Sequence, residues 1–189
     1  RHVVEAFSPR RIVFTGSTSV YAQADGSMVT EESVAEPDRE TGRVLLEAER
    51  VALERGGVVA RLAGIYGPGR SVLLKKFREG TAVLEAGGHR WINQIHRDDA
   101  AAALFHLAIS EDAAGIFNVC GDVPATQRTV YGWIAEALGG ELPPEGAADL
   151  GRKRGWTSKR VSNRKLRESG WAPTHPSYRE ALPSLLAAA

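Results

Sequence analysis

The sequence predicts an α/β fold built around a parallel sheet, and three observations carry that prediction. An apolar run, Ile12-Val13-Phe14, opens at once into a turn of small residues, Thr15, Gly16, Ser17, Thr18 and Ser19. Helix-period residues follow over about 41–55, and a second apolar run, Val58 to Leu62, comes directly after them. Short apolar runs read as strands buried on both faces, and strand–helix–strand order implies parallel pairing with right-handed crossovers.

Each element has its own signal. Residues 25–39 are polar and turn-rich and read as a loop. Val44, Leu45, Ala48, Val51 and Ala52 recur at helical spacing, and Gly56-Gly57 stops that helix. Gly64 and the Gly67-Pro68-Gly69 turn end the second strand. Ser71 is placed to cap a short helix carrying Leu73, Leu74 and Phe77, and Thr81 to Leu84 reads as a short strand. Asp98 or Asp99 is the expected cap of an alanine-rich helix reaching Ile109, and Ile116 to Cys120 reads as another strand. Thr126 caps a helix with Val130, Trp133, Ile134, Ala137 and Leu138 on one face, closed by Gly139-Gly140. Residues 141–150 read as a linker, and Ser177-x-x-Glu180 matches a capping box opening a last helix that Pro183 is expected to kink.

Composition narrows the class. At 189 residues, 43% apolar and 25% charged, the chain suits one soluble globular domain. A net charge of +1 gives no global reason to expect nucleic acid or a membrane as partner. Cys120 is the single cysteine, so no intrachain disulfide forms, and no apolar run approaches the roughly 20 residues of a membrane helix. The expected location is cytoplasmic. Histidines and the cysteine are scattered without metal-ligand spacing, so no metal is expected.

Three segments carry a family resemblance: Arg11-Ile-Val-Phe-Thr-Gly-Ser-Thr-Ser-Val-Tyr21, Arg61-Leu-Ala-Gly-Ile-Tyr-Gly-Pro-Gly69 and Asn93-Gln-Ile-His-Arg-Asp-Asp99. Together they resemble the NAD(P)-dependent epimerase/dehydratase family, the extended and atypical short-chain dehydrogenases. The resemblance implies the later half of a Rossmann-like parallel sheet with helices, plus a small C-terminal substrate lobe. On that reading residues 1–189 form a single, truncated domain. Residues 1–70 and 98–121 are its sheet portion, and 71–97 and 122–189 the lobe. No G-x-x-G-x-x-G or G-x-G-x-x-G stands ahead of a helix, and such a loop would cradle the dinucleotide pyrophosphate. The expected cofactor is NAD or NADP, bound weakly or not at all by this chain alone.

The resemblance also implies site residues. Ser17 lies four residues before Tyr21, where the family's serine or threonine bonds the reacting oxygen. The family's Tyr-x-x-x-Lys pair falls on Thr41 and Leu45 when its following glutamate is aligned with Glu49. Threonine is no comparable acid near neutral pH, and leucine replaces no point charge. Tyr21 reads either as a substitute acid, with Arg43 nearby, or as a core aromatic. The cofactor contacts implied are Thr15, Gly16, Ala63, Gly64 and Ile65, and the substrate contacts Tyr66, Arg90 and His96. Ile92 holds the place of a phosphate-binding arginine in sugar-nucleotide members, with Arg90 two residues away. His96 and Asp99 also read as structural, bridging the loop and capping the helix.

The implied activity is hydride transfer at a carbinol or ketone carbon of a small-molecule substrate, impaired by the missing pair. The alternative is a non-catalytic binding or interaction protein on the same scaffold. Arg152 to Arg167 holds eight basic residues and no acidic one, which also suits nucleic acid with Trp156 and Trp171 as stacking aromatics. The lobe reading, in which this segment packs over the cleft, is favoured. An exposed apolar first strand would pair with another chain, so a homodimer or a chain supplying the missing half is expected.

Overall fold

The computed structural model describes residues 9–149, 151 and 156–187. Its strands are β1 (Val13–Ser17), β2 (Met28–Val29), β3 (Val58–Leu62), β4 (Gly64–Tyr66), β5 (Leu84–Glu85), β6 (Trp91–Ile92), β7 (Gln94–His96), β8 (Gly115–Val119), β9 (Ala125–Thr126), β10 (Glu145–Gly146) and β11 (Arg160–Val161). The α-helices are α1 (Glu40–Leu53), α2 (Val72–Arg78), α3 (Arg97–Ile109), α4 (Gln127–Leu138), α5 (Arg164–Glu168) and α6 (Tyr178–Ala187).

The α/β expectation holds. Strands β1, β3 and β8 form a parallel sheet in that order, with Val13 opposite Val58 and Leu62 opposite Val119. The central strand β3 buries Val58, Val59, Ala60 and Arg61, which is why its sequence is a continuous run rather than an alternation. Helix α1 spans the crossover from β1 to β3, and α3 lies on the path from β3 to β8. Ser71 and Thr126 cap α2 and α4 by accepting the backbone N–H groups of Leu74 and Thr129. Gly139 ends α4 at φ 66°, a left-handed conformation that glycine adopts without a Cβ penalty.

Several expectations are corrected. Neither Asp98 nor Asp99 caps α3; His96 does, its Nδ1 accepting the N–H of Asp98. Asp99 instead accepts the N–H groups of Thr174 (2.7 Å) and His175 (2.9 Å), which fastens the start of α3 to the C-terminal segment. The loop 25–39 contains β2, paired with β11. The linker 141–150 contains β10, paired with β5, and the strand expected over 81–84 is confined to Leu84–Glu85. Ser177 Oγ accepts the N–H of Arg179 and donates to the Glu180 carboxylate, and α6 continues through Pro183.

Two apolar clusters organise the packing. One joins the sheet to Val20, Tyr21, Leu107, Val161, Leu166 and Trp171. The other gathers Tyr66, Leu74, Leu84, Tyr131, Ile134, Tyr178 and Leu182 from α2, α4, α6 and the strands between them. Arg152, Lys153 and Arg154 of the basic cluster lie outside the described residues.

Candidate active site

Ligands of open α/β sheets bind beyond the carboxyl ends of the strands. Such a cleft, of about 200 Å³, is present here. Its wall on the sheet side is Ser17, Thr18 and Ser19 at the end of β1, with Ala63 and Gly64 at the end of β3. The opposite wall comes from Arg90 to Asn93 and from Thr157 and Lys159. A larger groove of about 500 Å³ between α2 and Leu185 lies away from the strand ends.

Ser17 ends β1 and caps the 3-10 turn Thr18–Val20, its Oγ accepting the N–H of Ser19 at 3.2 Å. A hydroxyl that accepts from the backbone still has its proton to donate, so the cap and a substrate contact are compatible. Asn93 sets the opposite wall. Its side chain donates to the Lys159 carbonyl (2.9 Å) and accepts the N–H of Val161 (2.8 Å), while its own carbonyl accepts the N–H of Gly64.

Lys159 is 3% exposed and is one of the residues lining this cleft. It donates to the Tyr21 carbonyl at 2.7 Å and to Thr157 Oγ1 at 3.0 Å. Both partners are neutral. Burial, reinforced by the Arg90 charge, pulls the Lys159 ammonium down to a pKa of about 8. The Arg90 guanidinium lies over the Trp156 ring (5.3 Å to the centroid) and 3.9 Å from the Glu85 carboxylate.

Of the residues singled out from sequence, Ser17, Ala63, Gly64, Arg90 and Ile92 share this cleft. Thr41 is exposed and lines a small recess with Asp38 and Trp156 that shares Ser19 and Thr157 with the cleft. Leu45 packs against the first apolar cluster. Thr15 and Ile65 stand outside the lining, and Gly16 faces α1, where an added Cβ would lie 2.6 Å from Glu49 Oε1. Tyr21 is fully buried, its hydroxyl donating to Asn118 Oδ1 (2.9 Å), and burial raises its pKa. That placement is the one the core-aromatic reading expects. Tyr66, 3% exposed, donates to the Ser177 carbonyl, packs on Tyr178 and does not line this cleft.

His96 is likewise buried and does not line the cleft. Its ring stacks on His175 with centroids 3.9 Å apart. Burial and the neighbouring His175 lower its pKa. The fold thus gathers His96, Asp99 and His175, which chain spacing alone conceals. Stacked imidazoles direct their in-plane lone pairs past one another, and the Asp99 oxygens already accept backbone N–H groups. Through these contacts the trio ties the start of α3 to the C-terminal segment, as a latch would.

Sequence reasoning missed Lys159 as a site residue. The available signal was a lysine within the segment expected to pack over the cleft, flanked by Thr157 and Ser158 rather than by acids.

No family profile matches the chain. It is 32% identical over 157 residues to Protein YeeZ of Escherichia coli K12, covering 81% of this chain and 56% of that protein. It is 31% identical over 207 aligned positions to the 3-diazoavenalumate denitrifying reductase of a Streptomyces species, covering 96% and 67%. A solved structure from Methylobacillus flagellatus, designated an NAD-dependent epimerase/dehydratase, superposes with a TM-score of 0.79 at 26% identity, covering 99% and 67%. The chain belongs to the NAD(P)-dependent epimerase/dehydratase family of extended short-chain dehydrogenases. It spans little more than half the length of YeeZ.

Proposed function

We propose that this chain supplies the substrate side of a nicotinamide-linked oxidoreductase site, acting by hydride transfer at a carbinol or ketone carbon. The observation that carries the reading is the single cleft joining Ser17 to Ala63 and Gly64 at two adjacent parallel strand ends. Ser17 donates its hydroxyl proton as a hydrogen bond to the reacting oxygen, which needs no perturbed pKa. NAD or NADP supplies the hydride or takes it up. The small residues Ala63 and Gly64 fit the nicotinamide end, and Arg90 faces the substrate.

The residues do not fit the remainder of a dinucleotide equally well. Leu45 offers no hydrogen bond to a ribose, and no glycine-rich turn opens a helix in this sequence. Calorimetric titration of the 189-residue chain with NAD and NADP should therefore show binding weaker than micromolar. Hydride transfer to small ketones, followed by nicotinamide absorbance at millimolar cofactor, should fall about 10²–10³-fold in Ser17→Ala. Thr41→Val and His96→Gln should leave turnover near wild type. Loss in Thr41→Val with Ser17→Ala intact overturns the assignment.

A second reading, a binding protein without turnover, is favoured by one observation: Thr41 and Leu45 provide no proton-transfer pair. Wild-type chain inactive at every cofactor concentration, yet retaining a cleft ligand, would establish it.

A further inference from the structure

The hydride-transfer reading leaves a proton unaccounted for, since among the described residues no acid or base is a hydrogen-bond partner of the Ser17 hydroxyl. We propose that Lys159, reaching over the cleft from the C-terminal segment, is the proton donor to the substrate oxygen and replaces the absent tyrosine–lysine pair. The proposal rests on the oxidoreductase reading above and adds a residue to it.

Three features of the geometry support this role. Lys159 lines the same 200 Å³ cleft as Ser17, the two residues coming from segments far apart in the chain. Its bonds to the Tyr21 carbonyl and Thr157 Oγ1 fix the ammonium in place and occupy two of its three N–H donors. The third has no hydrogen-bond partner among the described residues. Finally, no carboxylate is among its hydrogen-bond or ion-pair partners in the described residues, and the charged group acting on it is another cation, Arg90. A buried ammonium held by neutral dipoles gives up a proton far more readily than an exposed lysine, and an acid near pH 8 is matched to work near neutrality.

The step balances as follows. A bound reduced nicotinamide would supply the hydride to the carbonyl carbon, the C=O π pair moving to oxygen. That oxygen takes a proton from the Lys159 ammonium, leaving a neutral amine, an alcohol and an oxidised nicotinamide. Solvent then reprotonates the amine. In the reverse direction the neutral amine accepts the alcohol proton.

The test has two arms. In the 189-residue chain, labelled with ¹³C at the lysine ε-carbons and assigned by the resonance lost in Lys159→Arg, one ε-carbon should titrate near pH 8. A midpoint for Lys159 at the ordinary lysine value, about 10.4, overturns the proposal whatever the turnover. In the kinetic arm, Lys159→Arg keeps the cation and the reach to Tyr21 but cannot release a proton near neutrality. It should fold as wild type by circular dichroism and lose about 10²–10⁴-fold in ketone reduction. Wild-type kcat should fall as pH rises through about 8, and that limb should vanish in the variant. Lys75→Met, on exposed α2, should change neither. Wild-type turnover matched by Lys159→Arg overturns the donor role alone. No wild-type turnover overturns the oxidoreductase reading and the donor role with it.

Discussion

Arg61 and Glu49 form a buried, two-pronged ion pair. Arg61 Nη2 lies 2.8 Å from Glu49 Oε2, and Arg61 Nε lies 3.2 and 3.1 Å from the two carboxylate oxygens. Both side chains are less than 5% exposed, so the pair bolts α1 to the central strand β3 out of reach of solvent. The guanidinium also lies over the Tyr21 ring, 4.9 Å from its centroid. The turn that presents Ser17 is thereby backed by the same charge.

Glu49→Gln should cost about 3–5 kcal/mol in denaturant unfolding, because it leaves the Arg61 charge buried without its partner. Gly16→Ala should also destabilise, by ~1–3 kcal/mol, since its Cβ would intrude to 2.6 Å from Glu49 Oε1. An unfolding midpoint unchanged in Glu49→Gln refutes the structural role of the pair.

Acid should loosen the latch at the start of α3. Burial and His175 hold the folded-state pKa of His96 below its ordinary value of about 6.5. Its contribution to stability is therefore complete above the unfolded pKa and is lost as pH falls toward the lower folded value. The wild type should lose stability as pH falls below about 6.5, and His96→Gln should lose less over the same fall. Parallel pH profiles for the two proteins contradict this assignment.

Among the described residues β1 has one strand neighbour, β3, so its other edge presents unpaired backbone groups. Sedimentation should show a dimer, a larger species or a complex with a second chain covering that edge, rather than a 20.4 kDa monomer. A monodisperse monomer whose β1 amides resist hydrogen exchange contradicts the expectation.

The parts of the fold written locally were legible. The run Val58 to Leu62 declares a strand buried on both faces, and Ser71 and Thr126 declare helix starts through side chains that reach only three residues onward. The short strands were not legible, because their partners are remote: Met28 pairs with Arg160, and Leu84 with Glu145. Two residues carry no periodicity. Asp98 and Asp99 mimicked a cap because acids suit a helix N-terminus generally, whereas the actual cap, His96, depends on ring orientation set by stacking on His175. In the cleft, Ser17, Ala63, Gly64 and Arg90 were readable from motif position. Lys159 was not, since its place beside Tyr21 spans 138 residues of chain.

Asn93 gives the cleft a gauge. One carboxamide grips both the carbonyl of Lys159 and the N–H of Val161, while the same residue's backbone carbonyl takes the N–H of Gly64. Floor and roof are therefore spaced by a single amino acid, and the opening between them is calibrated by the length of its side chain. A glutamine there would add one methylene to the spacer and re-bore the cavity for a bulkier guest, with the sheet beneath it untouched.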